Sequence, residues 1–93
     1  MIVVWQPHAI ADRDAQLDYI AQHSPHAAIE QGDRIAYQLS QLIQHPEMGR
    51  LGRTQATREL VISRTPFIVV YRINAERIEV LRVLHGAQQW PPR

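Results

Sequence analysis

Residues 57–85 read TRELVISRTPFIVVYRINAERIEVLRVLH and decide the fold of this chain. Three runs rich in Val, Ile, Leu, Phe and Tyr are separated by Thr65-Pro66 and by Asn74-Ala75. Apolar runs of this length, bounded by turn-forming residues, are typical of strands joined by tight connections. The segment therefore predicts a meander of three antiparallel strands.

The register of these strands follows from the face that each side chain must occupy, because a slip of one residue moves every side chain to the opposite face. Pairing Ile62 with Phe67 and Ile73 with Ile78 gives one apolar face, which we expect to be the core: Leu60, Ile62, Phe67, Val69, Tyr71, Ile73, Ile78, Val80 and Leu84. The other face, called the second face below, sets Arg72 opposite Glu79, a favourable cross-strand pair. Its apolar residues are Val61, Ile68, Val70, Leu81 and Val83.

Two helices are predicted before the meander. Residues 2–5 read IVVW and predict a first strand, after which Pro7 suits the first turn of a helix. A helix over residues 7–23 has an apolar side of Ile10, Leu17, Ile20 and Ala21. Ser24 and Pro25 then suit the N-cap and first position of a second helix, which extends to about His45. Its apolar stripe is Ala28, Gly32, Ile35, Leu39, Leu42 and Ile43.

The elements combine into an α+β fold of order β-α-α-β-β-β. Residues 45–57 carry two Gly-Arg steps without hydrophobic periodicity, so they predict a loop. Gly32 costs a helix about 1 kcal/mol relative to alanine, and we expect it to mark a close approach to the first helix or to the sheet. The expected architecture is an N-terminal strand, an antiparallel helical hairpin and the three-stranded antiparallel meander, forming one sheet with the helices on one face.

The length of the chain limits what can cover the sheet. Ninety-three residues suit one small domain with a single core, so we expect residues 1–93 to form one domain. One helical layer covers one face, and we expect the apolar second face to bind a partner, the C-terminal tail or a second copy of the chain. The chain has no cysteine, which fits a reducing cytosol. Its apolar N-terminal run is too short for a signal peptide or a membrane span.

The charge is unevenly distributed along the chain. Residues 1–49 carry two arginines against six acidic residues, a net charge of −4, whereas residues 50–93 carry eight arginines against three glutamates, a net charge of +5. A basic strand half indicates an acidic partner, either a phosphate backbone or an acidic protein segment. Arg50 and Arg53, in the predicted loop, are natural contacts for such a partner.

Motifs of known chemistry are mostly missing. The glycines do not form a phosphate-binding loop, no serine nucleophile with its base can be assembled, and His23-x-x-His26 spans a helix break without a third metal ligand. One basic cluster remains, formed by Arg58, Arg64, Arg72, Arg82 and His85. Arginines with a histidine could hold a scissile phosphate and supply an acid or base, or they could bind acidic side chains.

Several phrases together resemble the ParE/RelE superfamily of bacterial type II toxins. They are DYIAQHSP at the helical hairpin, HPEMGRLGR in the loop, and TRELVISRTPFIVVYRI and EVLRVLHGAQQWP in the strand half. The resemblance covers nearly the whole chain. It implies a small cytoplasmic toxin of the plasmid-stabilisation type, neutralised by a co-expressed antitoxin. From the residues themselves we expect no cofactor and no metal. The antitoxin's C-terminal segment would wrap the toxin, and operator DNA would be bound only through the antitoxin.

The superfamily divides by target, and two positions favour one branch. Ribonucleases similar to RelE and YoeB commonly carry an arginine in a phrase like YRLVY, where this chain has FIVVY with Ile68 in the arginine position. A pattern like VGKR is matched by HGAQ, which places Gln88 where an arginine would be useful, although His85 matches a histidine of YoeB-like enzymes. The sequence as a whole more closely resembles the ParE branch, whose members inhibit DNA gyrase by protein contact.

Three hypotheses follow for the function. The first is a gyrase inhibitor without catalytic residues of its own, with Arg50, Arg53, Arg64 and Trp90 as candidate contacts to the target. The second is a ribosome-dependent mRNA endoribonuclease that uses Arg58, Arg82 and His85. The third is an inactive relative that binds antitoxin in repression. In all three the antitoxin is expected on the second face, at Val61, Ile68, Val70, Arg72, Leu81 and Val83.

Overall fold

The computed structural model describes residues 1–86, 88, 90 and 91. Its elements are β1 (Ile2–Trp5), α1 (Pro7–His23), α2 (Pro25–Gln41), β2 (Arg50–Leu51), β3 (Arg58–Val61), β4 (Phe67–Asn74) and β5 (Arg77–His85). The strands form one sheet in the order β1-β5-β4-β3-β2. The expected α+β fold is confirmed, with the refinement that the sheet is mixed, because β1 lies parallel to β5.

The helical hairpin begins and turns where the sequence indicates. Pro7 and Pro25 occupy the starts of α1 and α2, and the Ser24 side chain caps α2 by accepting a hydrogen bond from the backbone N–H of Ala27 at 3.1 Å. The expected close approach at Gly32 is confirmed, since a Cβ placed there would lie 3.3 Å from Leu17 Cδ1. The small residue therefore lets the two helices pack closely.

The helices differ from expectation at their margins. The second helix ends at Gln41 rather than near His45, and a turn follows. Ile10 and Ile43, placed on the apolar sides from their spacing, are exposed, whereas Ala9 is fully buried. The predicted loop also contains the short strand β2, which pairs with β3 through Arg50–Glu59 and Leu51–Arg58.

The core lies between the helices and one face of the sheet, called the helix face below. Ile62 pairs with Phe67 through a backbone hydrogen bond of 3.0 Å, and Ile73 pairs with Ile78, as the pattern predicts. The helices contribute buried Ala9, Ile35 and Leu39, and Leu42 follows directly after α2. The sheet contributes Leu60, Ile62, Phe67, Val69, Tyr71, Ile78, Val80 and Val83.

A register shift in the β4–β5 ladder changes the faces of the last residues of β5. Tyr71 pairs with Val80, but the preceding residue of β4, Val70, pairs with Arg82, so Leu81 is the extra residue of a bulge. Val83 consequently faces the helices, where it is fully buried, and Leu84 pairs with Ile68 on the second face. The expected placement of Leu84 in the helix-face core and of Val83 on the second face is therefore wrong.

Side chains of α1 replace a strand at the outer edge of β5. β1 ends beside Val80, which leaves the last residues of β5 without a strand neighbour on that side. Asp12 accepts a hydrogen bond from the backbone N–H of Val83 at 3.0 Å, and Gln16 donates one to the Val83 carbonyl at 2.7 Å. Since these residues are four apart on α1, they lie on the same side of the helix.

None of the helices within the described residues is long and apolar enough to cross a membrane.

Candidate functional site: the second face of the sheet

Two buried glutamates, each held by two arginines, determine the charge of the second face. Glu59 lies in β3 beside Val70 and is only 2 % exposed. Its Oε1 lies 3.1 Å from Arg50 Nη2 and 3.4 Å from Arg53 Nη2, while its Oε2 accepts the backbone N–H of Arg53 at 3.0 Å. The carboxylate thereby holds residues 49–53, called the Gly-Arg segment below, against the sheet.

The second carboxylate, Glu79, is 4 % exposed and lies opposite Arg72, as the pattern predicts. The Arg72 Nε donates to Glu79 Oε1, and Arg77 Nη2 lies 3.2 Å from the other oxygen. The side chains of all four arginines remain about half exposed. The second face therefore presents four oriented guanidinium groups above two buried carboxylates.

Hydrogen bonding keeps both glutamates ionised. Burial by itself would raise the pKa of Glu59, but the hydrogen bonds from the Arg53 backbone and the Arg50 side chain bring this pKa below its usual value. The hydrogen bond from Arg72 likewise lowers the pKa of Glu79. With two negative and four positive charges, the site carries a net positive charge at neutral pH and suits an anionic partner.

The apolar part of the second face is smaller than the sequence predicts. Val61 is 51 % exposed and Ile68 is partly exposed, and the two are directly paired. Leu81 is partly exposed at the bulge, whereas Val70 is fully buried on this face. Val70 and Val83 are therefore inaccessible to a partner, and their expected contact with antitoxin is corrected to a structural role.

The residues expected for RNA cleavage lie at three separate places. Arg58 of β3 pairs with Tyr71 of β4. Its side chain donates hydrogen bonds to the carbonyls of Glu47 and Gly49 at 3.2 and 2.8 Å. His85 pairs with Phe67. Phe67 lies four residues from Tyr71 along β4, which corresponds to roughly 13 Å of strand. Arg58 and His85 both face the helices, whereas Arg82 pairs with Val70 on the second face.

Arg82 is committed to a structural ion pair. Its Nε and Nη2 donate to the two carboxylate oxygens of Asp12 at 2.7 and 3.1 Å, and the hydrogen bonds raise the pKa of Arg82. A bidentate pair of this kind fixes the guanidinium plane. The structure thus ties Arg82 to α1 and does not bring it together with Arg58 and His85.

The remaining target-contact candidates, Arg64 and Trp90, are not among the arginines that hold Glu59 and Glu79. Arg64 is exposed in the β3–β4 turn with a positive φ of 61°, near Tyr37 and Gln38 of α2. Trp90 lies 5.4 Å below the Arg82 guanidinium, a cation–π distance. No group of three or more His, Cys, Asp or Glu residues that could hold a metal ion occurs within the part of the chain that the structure describes.

Sequence reasoning missed two residues that position the site. Asp12 is given no role in the sequence analysis, yet it binds both Arg82 and the β5 backbone. Tyr71 was assigned to the core, where it is fully buried, but its hydroxyl accepts the Gly49 N–H at 2.9 Å and donates to the Pro46 carbonyl at 2.7 Å. The HPEMGRLGR phrase, with a glycine before each arginine, was the available signal that this loop is closely packed.

Comparisons with known proteins agree with this architecture. A family model described as the ParE toxin of the type II toxin–antitoxin system parDE matches residues 3–90. Toxin RelE2 of Caulobacter vibrioides is 37% identical over 86 residues, covering 92% of this chain and 96% of the relative. Y4kP of Sinorhizobium fredii, whose name marks it as a candidate toxin, is 39% identical over 87 residues, covering 94% of this chain and 90% of the relative.

A solved structure supports the same conclusion. The chromosomal ParDE system from P. aeruginosa contains a chain that superposes with a TM-score of 0.80 at 28% identity, covering 91% of this chain and 95% of that one. The family match alone spans the helical hairpin, the Gly-Arg steps and the strands. The chain therefore belongs to the family of ParE toxins of type II toxin–antitoxin systems.

Proposed function

We propose that this toxin acts in the cytoplasm by inhibiting DNA gyrase through protein contact and that a cognate antitoxin neutralises it. The observation that carries the proposal is the separation of Arg58, Arg82 and His85. An RNA-cleaving site needs its phosphate-binding cation and its acid or base within hydrogen-bond reach of one substrate. Here these groups occupy two faces of the sheet and two ends of its strands, and Arg82 is already paired with Asp12.

The second face is the proposed antitoxin-binding surface. It combines two chemically different parts. One is the Val61–Ile68 pair, and the other is formed by the guanidinium groups of Arg50, Arg53, Arg72 and Arg77 around Glu59 and Glu79. A protein segment with apolar and acidic side chains would complement both parts. A nucleic-acid backbone would satisfy the arginines but leave the apolar pair uncovered.

A gyrase cleavage assay tests the mode of action. Purified toxin is incubated with gyrase, ATP and supercoiled plasmid, treated with protease and detergent, and analysed on a gel for linear DNA. We expect linear DNA in the presence of toxin and its loss when cognate antitoxin is added first. Gyrase with plasmid but without toxin provides the background level.

A His85→Ala variant provides the matched control. His85 is exposed, so its truncation should leave the fold intact, and we expect it to retain gyrase inhibition and toxicity. The proposal would be overturned by an absence of linear DNA together with mRNA cleavage during translation, detected by toeprinting, that disappears in His85→Ala. Loss of growth inhibition and of both activities in the wild-type toxin would instead support an inactive relative.

A further inference from the structure

A groove on the helix side of the sheet lies away from the second face. It runs between α1, α2 and the adjoining ends of β4 and β5, and its volume is about 600 Å³. Ala15, Ile20 and Phe67 contribute to a mainly apolar wall, while Tyr19 and His85 contribute rings near its rim. A groove of this size can admit one long side chain of a binding partner.

Two carboxamide oxygens of the groove have no hydrogen-bond partner among the described residues. Gln16 Oε1 and Gln31 Oε1 are both shielded from water and unpaired. The Gln16 Nε2 donates to the Val83 carbonyl at 2.7 Å, which identifies this nitrogen as the end of the amide turned toward the sheet and leaves the oxygen without a donor. Buried acceptors are normally satisfied, so two unpaired acceptors in one groove point to a donor supplied from outside.

The groove differs from the second face in that hydrogen-bond acceptors, rather than guanidinium groups, line it. Its wall includes the carboxamides of Gln16, Gln31 and Gln88 and the Asp12 carboxylate, which is already paired with Arg82, and none of the described residues that line it is an arginine. The two unpaired carboxamide oxygens therefore favour a group rich in hydrogen-bond donors, and a cationic donor would meet no arginine in the described wall. The exposed Tyr19 ring offers a face on which a planar cation can stack.

These features together fit a guanidinium group on an aliphatic stem. The stem would pack on the apolar wall, and the five N–H donors could serve several acceptors at once. Small rotations of the Gln16 and Gln31 amides would expose their oxygens, as side chains commonly change rotamer at interfaces. The energetic cost of the unpaired oxygens would then be removed on binding.

We propose that this groove receives an arginine side chain of the cognate antitoxin. The inference rests on the proposed function in that it takes the antitoxin as the partner. The toxin then binds its antitoxin at two places of opposite character, a cationic second face for acidic side chains and an acceptor-lined groove for a basic one. Only a segment with both kinds of residue at matching positions would satisfy the two places, which makes the groove a determinant of partner specificity.

A titration of the isolated toxin tests the chemistry of the groove without the antitoxin. The probe is n-butylguanidinium, followed by the NMR shifts of Gln16, Tyr19 and Gln31, with n-pentanol and butyrate at equal concentration for comparison. We expect saturable shifts in the millimolar range for n-butylguanidinium alone, as suits a small fragment. Equal shifts with n-pentanol, or larger shifts with butyrate, would overturn the assignment of a cation.

A pair of glutamine variants tests the groove in the complex. Gln31→Met removes the acceptor with little change in shape, and Gln22→Met makes the same change at an exposed position of α1 outside the groove. We expect the antitoxin dissociation constant, measured by calorimetry, to rise at least fivefold for Gln31→Met and to stay unchanged for Gln22→Met. Equal affinities for wild type and Gln31→Met, with both variants folded, would overturn the proposal.

The gyrase assay separates this proposal from the function on which it rests. Without antitoxin, Gln31→Met should inhibit gyrase as the wild-type toxin does. If the toxin formed no linear DNA at all, the gyrase target would be wrong, yet a fivefold loss of antitoxin affinity in Gln31→Met would still support the groove. If gyrase inhibition were normal and n-butylguanidinium failed to bind, only the groove would be wrong.

Discussion

At the scale of single residues, the second face depends on carboxylates that are removed from water but fully hydrogen-bonded. Glu59 receives donors from two arginine side chains and one backbone N–H. Removing one partner from a buried charged network costs more than an exposed ion pair contributes, because the remaining group loses both water and its partner. The glutamates are therefore structural residues that set the positions of the arginines.

We expect Glu59→Gln to lower the free energy of unfolding at pH 7 by about 1–3 kcal/mol. The folded-state pKa of Glu59 lies below its ordinary value of 4.5. Its contribution is therefore complete above that ordinary value and is lost as the pH falls through the folded-state pKa. Urea unfolding at pH 7 and at about pH 3 should show a smaller difference between wild type and Glu59→Gln at the lower pH.

Glu76→Gln serves as the control for this measurement. Glu76 is exposed in the β4–β5 turn, so the same chemical change there should alter stability by less than about 0.5 kcal/mol at either pH. If Glu59→Gln lost equal stability at both pH values, the carboxylate would not be ionised in the folded protein, and the assignment of charge on the second face would be contradicted.

At the scale of elements, the bulge at Leu81 decides which residues of β5 face the helices. Val80, Leu81, Val83 and Leu84 place apolar side chains at both parities, so either register satisfies the pattern. The choice is made by tertiary contacts, because α1 binds the backbone of Val83 through Asp12 and Gln16 once β1 has ended. The bulge then returns Arg82 to the second face and His85 to the helix face.

The corrected register predicts a contrast between two valines. Val83→Ala removes two methyl groups from the core and should lower the free energy of unfolding by about 2 kcal/mol, since a cavity remains. Val61→Ala, at a position 51 % exposed on the second face, should change it by less than about 0.5 kcal/mol. Thermal and urea unfolding measure both, and equal losses would contradict the bulge.

The Gly-Arg segment is an ordered element because Tyr71 fastens it. Tyr71→Phe removes the hydroxyl that bridges Gly49 and Pro46, and we expect a loss of about 1–3 kcal/mol in the free energy of unfolding. Hydrogen exchange should also accelerate at the Gly49 amide. Tyr37→Phe, on the exposed side of α2, is the matched control and should leave both quantities nearly unchanged.

At the scale of the whole molecule, the acidic first half of the sequence and the basic second half are brought together rather than kept apart. Asp12 of α1 neutralises Arg82, while the arginines of the second face are only partly neutralised by Glu59 and Glu79. The unequal compensation leaves a positive second face on a chain whose net charge is only +1. Partner binding there should consequently depend on salt.

Charge reversal on the second face tests this expectation. Arg72→Glu should raise the dissociation constant of the antitoxin complex at least tenfold at low salt, because it places a negative charge beside Glu79 and the acidic partner. Val61→Asp should weaken the complex through the apolar part of the same surface. Arg64→Glu, in the β3–β4 turn, should not change the affinity measured by calorimetry.

An unchanged affinity in both Arg72→Glu and Val61→Asp would contradict the choice of the second face. Circular dichroism and thermal unfolding of each variant establish that any loss of affinity does not arise from loss of the fold.

Much of the architecture could be predicted because local signals were strong and consistent. Ser24-Pro25 marked the hairpin, and the alternation through residues 67–74 fixed the register of β3 with β4 and of the Arg72–Glu79 pair. The strand β2 was missed because two residues are too few for a periodic pattern. Among the residues predicted to contact the antitoxin, the structure exposes Arg72, Val61 and Ile68 at least partly, whereas it buries Val70 and Val83.

The sequence by itself determined the order of the elements other than β2, the helical hairpin, the apolar helix face and the resemblance to ParE toxins, since each is encoded in residues near one another along the chain. Only the tertiary structure decided which charges remain available to a partner. Arg82 is neutralised by Asp12, 70 positions away, while Gln16 of α1 and Gln31 of α2 line the same groove. Such pairings depend on how helices lie against strand edges, and local patterns do not specify contacts between distant segments.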